Sequence, residues 1–332
     1  MSNILFRIDR AGERVLGRRY VAVRYHPGFR ALSAWPAARR FRGAAGTGRA
    51  VLLEIDGTMG MGAVMAHAVR LLALAEQEGW NPRLAFTNSL YARDPGADWL
   101  PDFFIQPLAP PPDPTMPRLK VRNHWNYRLI RNRPGPSLEE GRALFERRLG
   151  FAPAVDGALA AALARLGPLS RAIGVHYRGT DKMFEARSSP FEAMRRAIEA
   201  ARERTGFDTL FVATDEPRFE DYLATALPDM RRFGYEQEGV VREAGKPIHF
   251  TKGDGYAKGM EAVLLIRMLA ACGLLVRTPS FLSSWSQLLN PQLTTFIVNP
   301  GALYSAEFPD RELIADSYAV VEAHPGRASQ RA

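Results

Sequence analysis

From residue 51 onward the chain alternates short apolar runs with stretches of helical periodicity, a pattern that predicts a parallel sheet covered by helices. Val51 to Ile55 reads as a buried strand ending in a glycine-rich turn. Met61 to Glu78 then places Val64, Ala68, Leu71, Leu72 and Ala75 on one helical face, and Arg83 to Thr87 reads as the next strand. Residues 107 to 118 hold six prolines, which neither continue a helix nor donate to a ladder, so an extended surface connection is expected there. Helices over about 137 to 149 and 153 to 166 lead into Gly167-Pro168, where a junction between two domains is expected. The second half predicts strands at 172–177, 209–213, 232–235, 274–277 and 295–298. Helices are predicted at 190–204, 217–226, 256–271 and 280–289, with a last one around 311–322.

The 332 residues suit two domains of roughly 150 residues each. With 46% hydrophobic and 24% charged residues, the chain is neither disordered nor collagenous. A single cysteine, Cys272, excludes an internal disulfide, and no Cys/His cluster offers zinc ligands.

The net charge of +9 is confined to the first fifty residues, which hold 11 Arg against Asp9 and Glu13. The remaining chain is neutral, and the Arg-rich segment contains no recognisable nucleic-acid module, so no nucleic-acid partner is expected. Contact between that segment and an anionic membrane surface is the expectation instead. No run approaches the ~18 apolar residues of a membrane span, and the first residues lack a secretory leader, which gives a cytoplasmic expectation with peripheral contact at the inner membrane face.

In open parallel sheets, ligands sit beyond the carboxyl ends of the strands. Unusual polar residues fall at four such places. His176 and Arg178 lie on one face at the exit of a strand, Gly179 follows, and Asp181, Lys182, Glu185 and Arg187 continue the loop. Ser189-Pro190-Phe191-Glu192 reads as a capping box for the next helix. Thr214, Asp215 and Glu216 follow a second strand and serve equally well as helix caps. Ser280, Ser283, Ser284 and Ser286 crowd the first turns of a helix, more hydroxyls than capping requires, where the helix dipole favours an anion. Gly57, Gly60 and Gly62 would let backbone approach a ligand, while His67 in the following helix reads as a core residue. The economical arrangement is a cleft between two Rossmann-like halves with a diphosphate held by Arg178 and the serine-rich helix start.

These residues also resemble a known family. IGVHYRGTDK is similar to the H-x-R-R-T-D-K motif of α-1,6-fucosyltransferases and the nodulation fucosyltransferases. FVATDEP resembles their second motif, LLVRTPSFLSSWS their third, and the glycine stretch ending at His67 their donor loop. The resemblance spans about residues 51 to 300. It implies an α/β chain of the GT-B fold, with two Rossmann-like domains of parallel sheets facing a central cleft. Residues 1–50 would be an Arg-rich part of the N-terminal domain, 51–167 its acceptor-side body, 168–310 the nucleotide-sugar domain and 311–332 a C-terminal helix and tail.

The resemblance further implies inverting transfer of fucose from GDP-fucose to a glycan or lipo-oligosaccharide hydroxyl, with no metal and no cofactor beyond the donor. Arg178 would bind the pyrophosphate beside His176, Lys182 would neutralise departing GDP, and Glu185 would be the general base. Gly60, Gly62, Asp215, Glu216, Ser280, Ser283 and Ser284 would line the donor site. Two departures stand out. Gly179 replaces the second Arg, and Leu265 occupies the position of an acidic residue near guanine, for which Glu261 one turn earlier is the expected substitute. The chain contains no D-x-D pair, so cationic side chains would take the part of a metal. The alternatives are another nucleotide sugar, or a glycan-binding protein without catalysis.

Overall fold

The computed structural model describes residues 48–56, 59–87, 90–94, 96–122, 135–179, 189–243, 246–298 and 308–309. The segments expected at 1–47 and 311–332 lie outside these residues. In the first half the order is β1 (Ala50–Asp56), α1 (Met61–Gln77), β2 (Asn81–Phe86), a short α2 (Leu100–Phe103), β3 (Phe104–Ile105), β4 (Arg118–Arg122), α3 (Leu138–Arg148), β5 (Gly150–Phe151) and α4 (Pro153–Leu166). The second half runs β6 (Ile173–Tyr177), α5 (Phe191–Thr205), β7 (Thr209–Thr214), α6 (Pro217–Ala226), β8 (Arg231–Gly234), α7 (Gly255–Ala271), β9 (Leu274–Arg277), α8 (Phe281–Leu289) and β10 (Thr295–Ile297).

Two parallel sheets carry the fold among the described residues. One is three-stranded in the order β2-β1-β4, and the other is five-stranded in the order β10-β9-β6-β7-β8. β4 is absent from the sequence expectation because it follows the prolines directly and reads Arg-Leu-Lys-Val-Arg. It is a half-buried strand whose Leu119 and Val121 enter the core. The capping box expected at 189–192 does not form. Pro190 takes the cap position, Ser189 Oγ donates to the Val298 carbonyl (2.8 Å), and the Glu192 carboxylate is taken by a bidentate pair with Arg195. A charge-assisted fork outcompetes one neutral N–H donor. A capping box does form at α3, where Ser137 and Glu140 bond each other's main chain.

The central strands of the five-stranded sheet bury both faces. On one, Ile173, Val175, Leu210, Val212, Leu274 and Val276 pack against Met194, Ile198, Phe219 and Leu223 of α5 and α6. On the other, Phe211, Ala213 and Leu275 join a larger core that runs through α7 and α8 into α1, α3 and α4 of the first half. α7 and α8 therefore belong to the second half by sequence and to the first by packing. Gly62 of α1 sits so close to α8 that a Cβ there would lie 2.6 Å from the Leu282 nitrogen, and Trp285 Nε1 donates to the Gly62 carbonyl (3.0 Å).

Candidate functional site

β6 is the middle strand of the five-stranded sheet, flanked by β9 and β7. The register pairs His176 with Arg277 on one side and Ala213 on the other, so the carboxyl ends of all three strands are level. The loops leaving β7 and β9 bind the chain leaving β6. The Arg178 N–H donates to Thr278 Oγ1 (3.0 Å), and the Gly179 N–H donates to Asp215 Oδ1 (2.9 Å). The Thr278 N–H in turn donates to the His176 carbonyl (3.0 Å), and Asp215 Oδ2 lies 3.8 Å from Arg178 Nε. The arginine is thus a largely buried cation whose main chain and side chain are both held at the strand exit.

In the first half, Tyr91 follows β2. The Tyr91 hydroxyl accepts the Met61 N–H at the start of α1 (2.8 Å). Burial pushes its pKa up, outweighing the opposing effects of that hydrogen bond and of the Arg178 charge, so the phenol stays neutral. The segment that begins after Gly179 is fixed at its far end as well. Tyr177 Oη donates to the Ser189 carbonyl (3.0 Å), and the Tyr177 ring stacks on Phe219 at 4.4 Å between centroids. Lys182 and Glu185 belong to that segment and lie outside the described residues.

The other expected residues divide into those at the strand exits and those the packing claims. His176 is buried beside Arg277 in the register, and Asp215 is at the exit, where its carboxylate holds the main chain of Gly179. Glu216 lies against Gly179, whose missing Cβ would be 3.1 Å from the Glu216 Cβ and 2.9 Å from the Tyr177 ring. Its carboxylate pairs with Arg218 (2.8 Å). The site of the family's second arginine is therefore enclosed by two side chains.

The serines correct the expectation of an anion-binding cluster. Ser283 and Ser284 are fully buried and return their hydroxyls to the Ser280 and Phe281 carbonyls, while Ser286 Oγ donates across to the Ile266 carbonyl of α7 (2.8 Å). A helix that approaches its neighbours this closely needs small side chains, and serine satisfies its own hydroxyl against the preceding turn. Ser280 takes the cap position of α8 and is also buried; its side chain caps nothing, and its carbonyl accepts from Arg277 Nη1 (3.3 Å).

Gly62 likewise serves the α1–α8 approach, and Gly60 has an ordinary extended conformation with room for a Cβ beside His249. Glu261 is buried on α7, where one carboxylate oxygen accepts both the Gln237 N–H (2.8 Å) and Arg242 Nη2 (2.9 Å). Burial raises its pKa against the pull of Gln237 and Arg242. Leu265 packs against the larger core. The pairing turns Glu261 to holding the loop after β8.

Three residues at the site escaped the sequence reading. Tyr91 carries no motif, and Arg277 and Thr278 lie within the LLVRTPSFLSSWS stretch, where the serines were singled out instead. Arg277 is 0% exposed, and its Nη1 approaches the Thr278 and Ser280 carbonyls and the Ser283 hydroxyl at 3.3 to 3.5 Å. A buried arginine closing an apolar run was the available signal. Among the described residues, no group of three His, Cys, Asp or Glu side chains could hold a metal, and no helix is long and apolar enough to cross a membrane.

No family model matches the sequence, and no curated protein matches it. Solved structures do. The fucosyltransferase NodZ from Bradyrhizobium aligns over 77% of this chain and 98% of its own, with a TM-score of 0.51 and 17% sequence identity. The chain has the GT-B fold. A NodZ α-1,6-fucosyltransferase soaked with GDP-fucose aligns over 74% of this chain and 94% of its own, at a TM-score of 0.49 and 16% identity. POFUT1 in complex with GDP aligns over 76% and 99%, at 0.49 and 10%. Within this GT-B chain the two parallel sheets are the cores of the two halves, and Arg178 leaves the central strand of the second.

Proposed function

We propose that the protein is an inverting glycosyltransferase that transfers fucose from GDP-fucose to a hydroxyl of a glycan or lipo-oligosaccharide. The observation that carries this reading is the anchoring of Arg178 at the exit of β6 by Thr278 and Asp215 of the two neighbouring strand exits. The GT-B fold and the motif resemblance over residues 173 to 182 support the choice of donor.

Displacing GDP from the anomeric carbon builds negative charge on the diphosphate, and a cation already fixed beside it stabilises that charge without reorganising. Arg178 takes this part, with Lys182 second. Glu185 takes the proton from the acceptor hydroxyl, for which a carboxylate within hydrogen-bond reach suffices. Donor binding is metal-free in this reading because the cations take the role of a divalent ion. The Arg-rich first fifty residues bring a cytoplasmic enzyme to anionic lipid, at about 1 kcal/mol per basic residue near the surface.

Replacement of Arg178 by Ala lowers transfer by roughly 100-fold or more and abolishes calorimetric GDP binding, with the thermal midpoint within a few degrees of the parent. Normal transfer in that variant overturns the assignment. A donor panel of GDP-fucose, GDP-mannose and UDP-sugars addresses the second reading, a different nucleotide sugar, which the engagement of Glu261 with Arg242 and the apolar packing of Leu265 favour.

A further inference from the structure

The two consecutive N–H groups at the exit of β6 are each satisfied by a side chain and not by the sheet. Beyond Tyr177 the parallel ladder ends, and a side chain from each neighbouring strand takes over: Thr278 from β9 for Arg178, and Asp215 from β7 for Gly179. The two anchors differ in kind. Asp215 is a charged group that also lies beside the Arg178 guanidinium, so any change there alters the field as well as the geometry. The Thr278 hydroxyl meets Arg178 at its main-chain N–H.

The sequence around Thr278 makes it a rigid anchor. Pro279 follows it, and the residue before a proline is confined to extended backbone. Its own N–H is tied to the His176 carbonyl, which continues the β9–β6 pairing by one residue. Its side chain is β-branched, 4% exposed and restricted in χ1, so the hydroxyl has little freedom to leave the Arg178 N–H. The extended backbone before Pro279, the tie to His176 and the restricted χ1 together hold the hydroxyl in place, and through it the Arg178 nitrogen at the strand exit.

We infer that Thr278 is a positioning residue for the diphosphate, acting through the main chain of Arg178. This rests on the reading of Arg178 as the diphosphate-binding cation. Removing the hydroxyl leaves a part-buried N–H without its acceptor, and the strand exit moves to hydrate it. The guanidinium is then displaced from the position where leaving-group charge develops.

The test is a double-mutant cycle on the full chain, with inorganic pyrophosphate and GDP as calorimetric probes and transfer from GDP-fucose as the rate readout. Thr278→Val, nearly isosteric, weakens pyrophosphate and GDP binding about 10-fold and lowers kcat more than it raises the donor KM. Thr278→Ser, which keeps the oxygen, recovers both to within about 3-fold. In an Arg178→Ala background, read on the residual transfer from GDP-fucose, Thr278→Val lowers the rate no further, a coupling that loss of general packing would not produce. Should the valine variant fail to fold, Thr278→Ala carries the same comparison.

Parent-like binding in Thr278→Val, or an equal loss with and without Arg178, overturns the inference. A parent protein that binds neither GDP nor pyrophosphate overturns the reading of Arg178 first, and the inference with it.

Discussion

At Arg178 the main chain is held by Thr278 and the side chain lies beside Asp215, whereas Glu54 of the first half is a charge held through its carboxylate. Glu54 lies on the face of the three-stranded sheet opposite α1, nearly buried. Lys120 Nζ donates to its Oε1 (2.5 Å), Thr87 Oγ1 donates to the same oxygen (2.8 Å), and Arg118 lies 3.4 Å from Oε2. Burial raises its pKa, but the hydrogen bonds from Lys120 and Thr87 and the charges of Lys120 and Arg118 together hold it below the usual carboxylate value. Burial lowers the pKa of Lys120, and its bonds to Glu54 and Asp56 outweigh that and raise it. A depressed acid stabilises the fold above its unfolded pKa and loses that contribution as pH falls through the folded value. A raised base loses its contribution only as pH rises through its own folded value. The pair therefore supports the fold evenly between about pH 5 and pH 10 and weakens below about pH 4. Glu54→Gln is expected to cost about 1–3 kcal/mol at pH 7 and to flatten the acid limb of stability, which urea melts between pH 3 and pH 7 would measure.

Among elements, the contact between α1 and α8 is the most demanding. A Cβ on Gly62 would meet the Leu282 nitrogen and the Phe281 carbonyl carbon at 2.6 Å, both backbone atoms with no rotamer to move. Gly62→Ala therefore pushes the helices apart and is expected to cost about 1–3 kcal/mol or more, read as a lower urea midpoint with unchanged m. Loss of the same stability with full pyrophosphate binding would place Gly62 in the packing and not at a ligand. The α3 capping box provides a local comparison, since Ser137→Ala removes one exposed bond to the Glu140 N–H and should cost about 1 kcal/mol.

Most element positions were legible because their apolar periodicity is strong. β4 and the antiparallel pair β3–β5 were not, since β4 follows the prolines directly with only two apolar residues and strands of two residues give no periodic signal. The serine-rich start of α8 was read as a ligand cradle because sequence alone does not distinguish a small residue chosen for binding from one chosen for close packing.

Across the whole molecule, the sheets separate on either side of Gly167 but the core does not. Met260, Val263, Leu264 and Trp285 of the second half share a cluster with Val64, Leu71 and Phe145 of the first. The helix α7 meets the first half closely enough that Gly259 lies against the Phe103 ring and Gly255 against the Leu90 and Ala92 carbonyls. Cutting the chain at Gly167 would expose these faces, so separate fragments are expected to aggregate, and the intact chain is expected to melt in one calorimetric transition. Two resolved transitions would show that the halves fold independently.

The sequence by itself determined the succession of strands and helices, the α/β class and the place of Arg178 at the end of a strand, because apolar periodicity and strand exits are local properties. It also placed Asp215 near the site, since a carboxylate following a strand is visible in one line of residues. Only the tertiary structure decided that Thr278 holds Arg178, that Asp215 is bound to Gly179, that Glu261 is taken by Arg242, and that Ser286 of α8 bonds the Ile266 carbonyl of α7. Each of those outcomes depends on which strand lies beside which and how closely two helices approach. Residues 100 positions apart become hydrogen-bond partners through the sheet order β9-β6-β7, a non-local arrangement that no periodicity along the chain encodes.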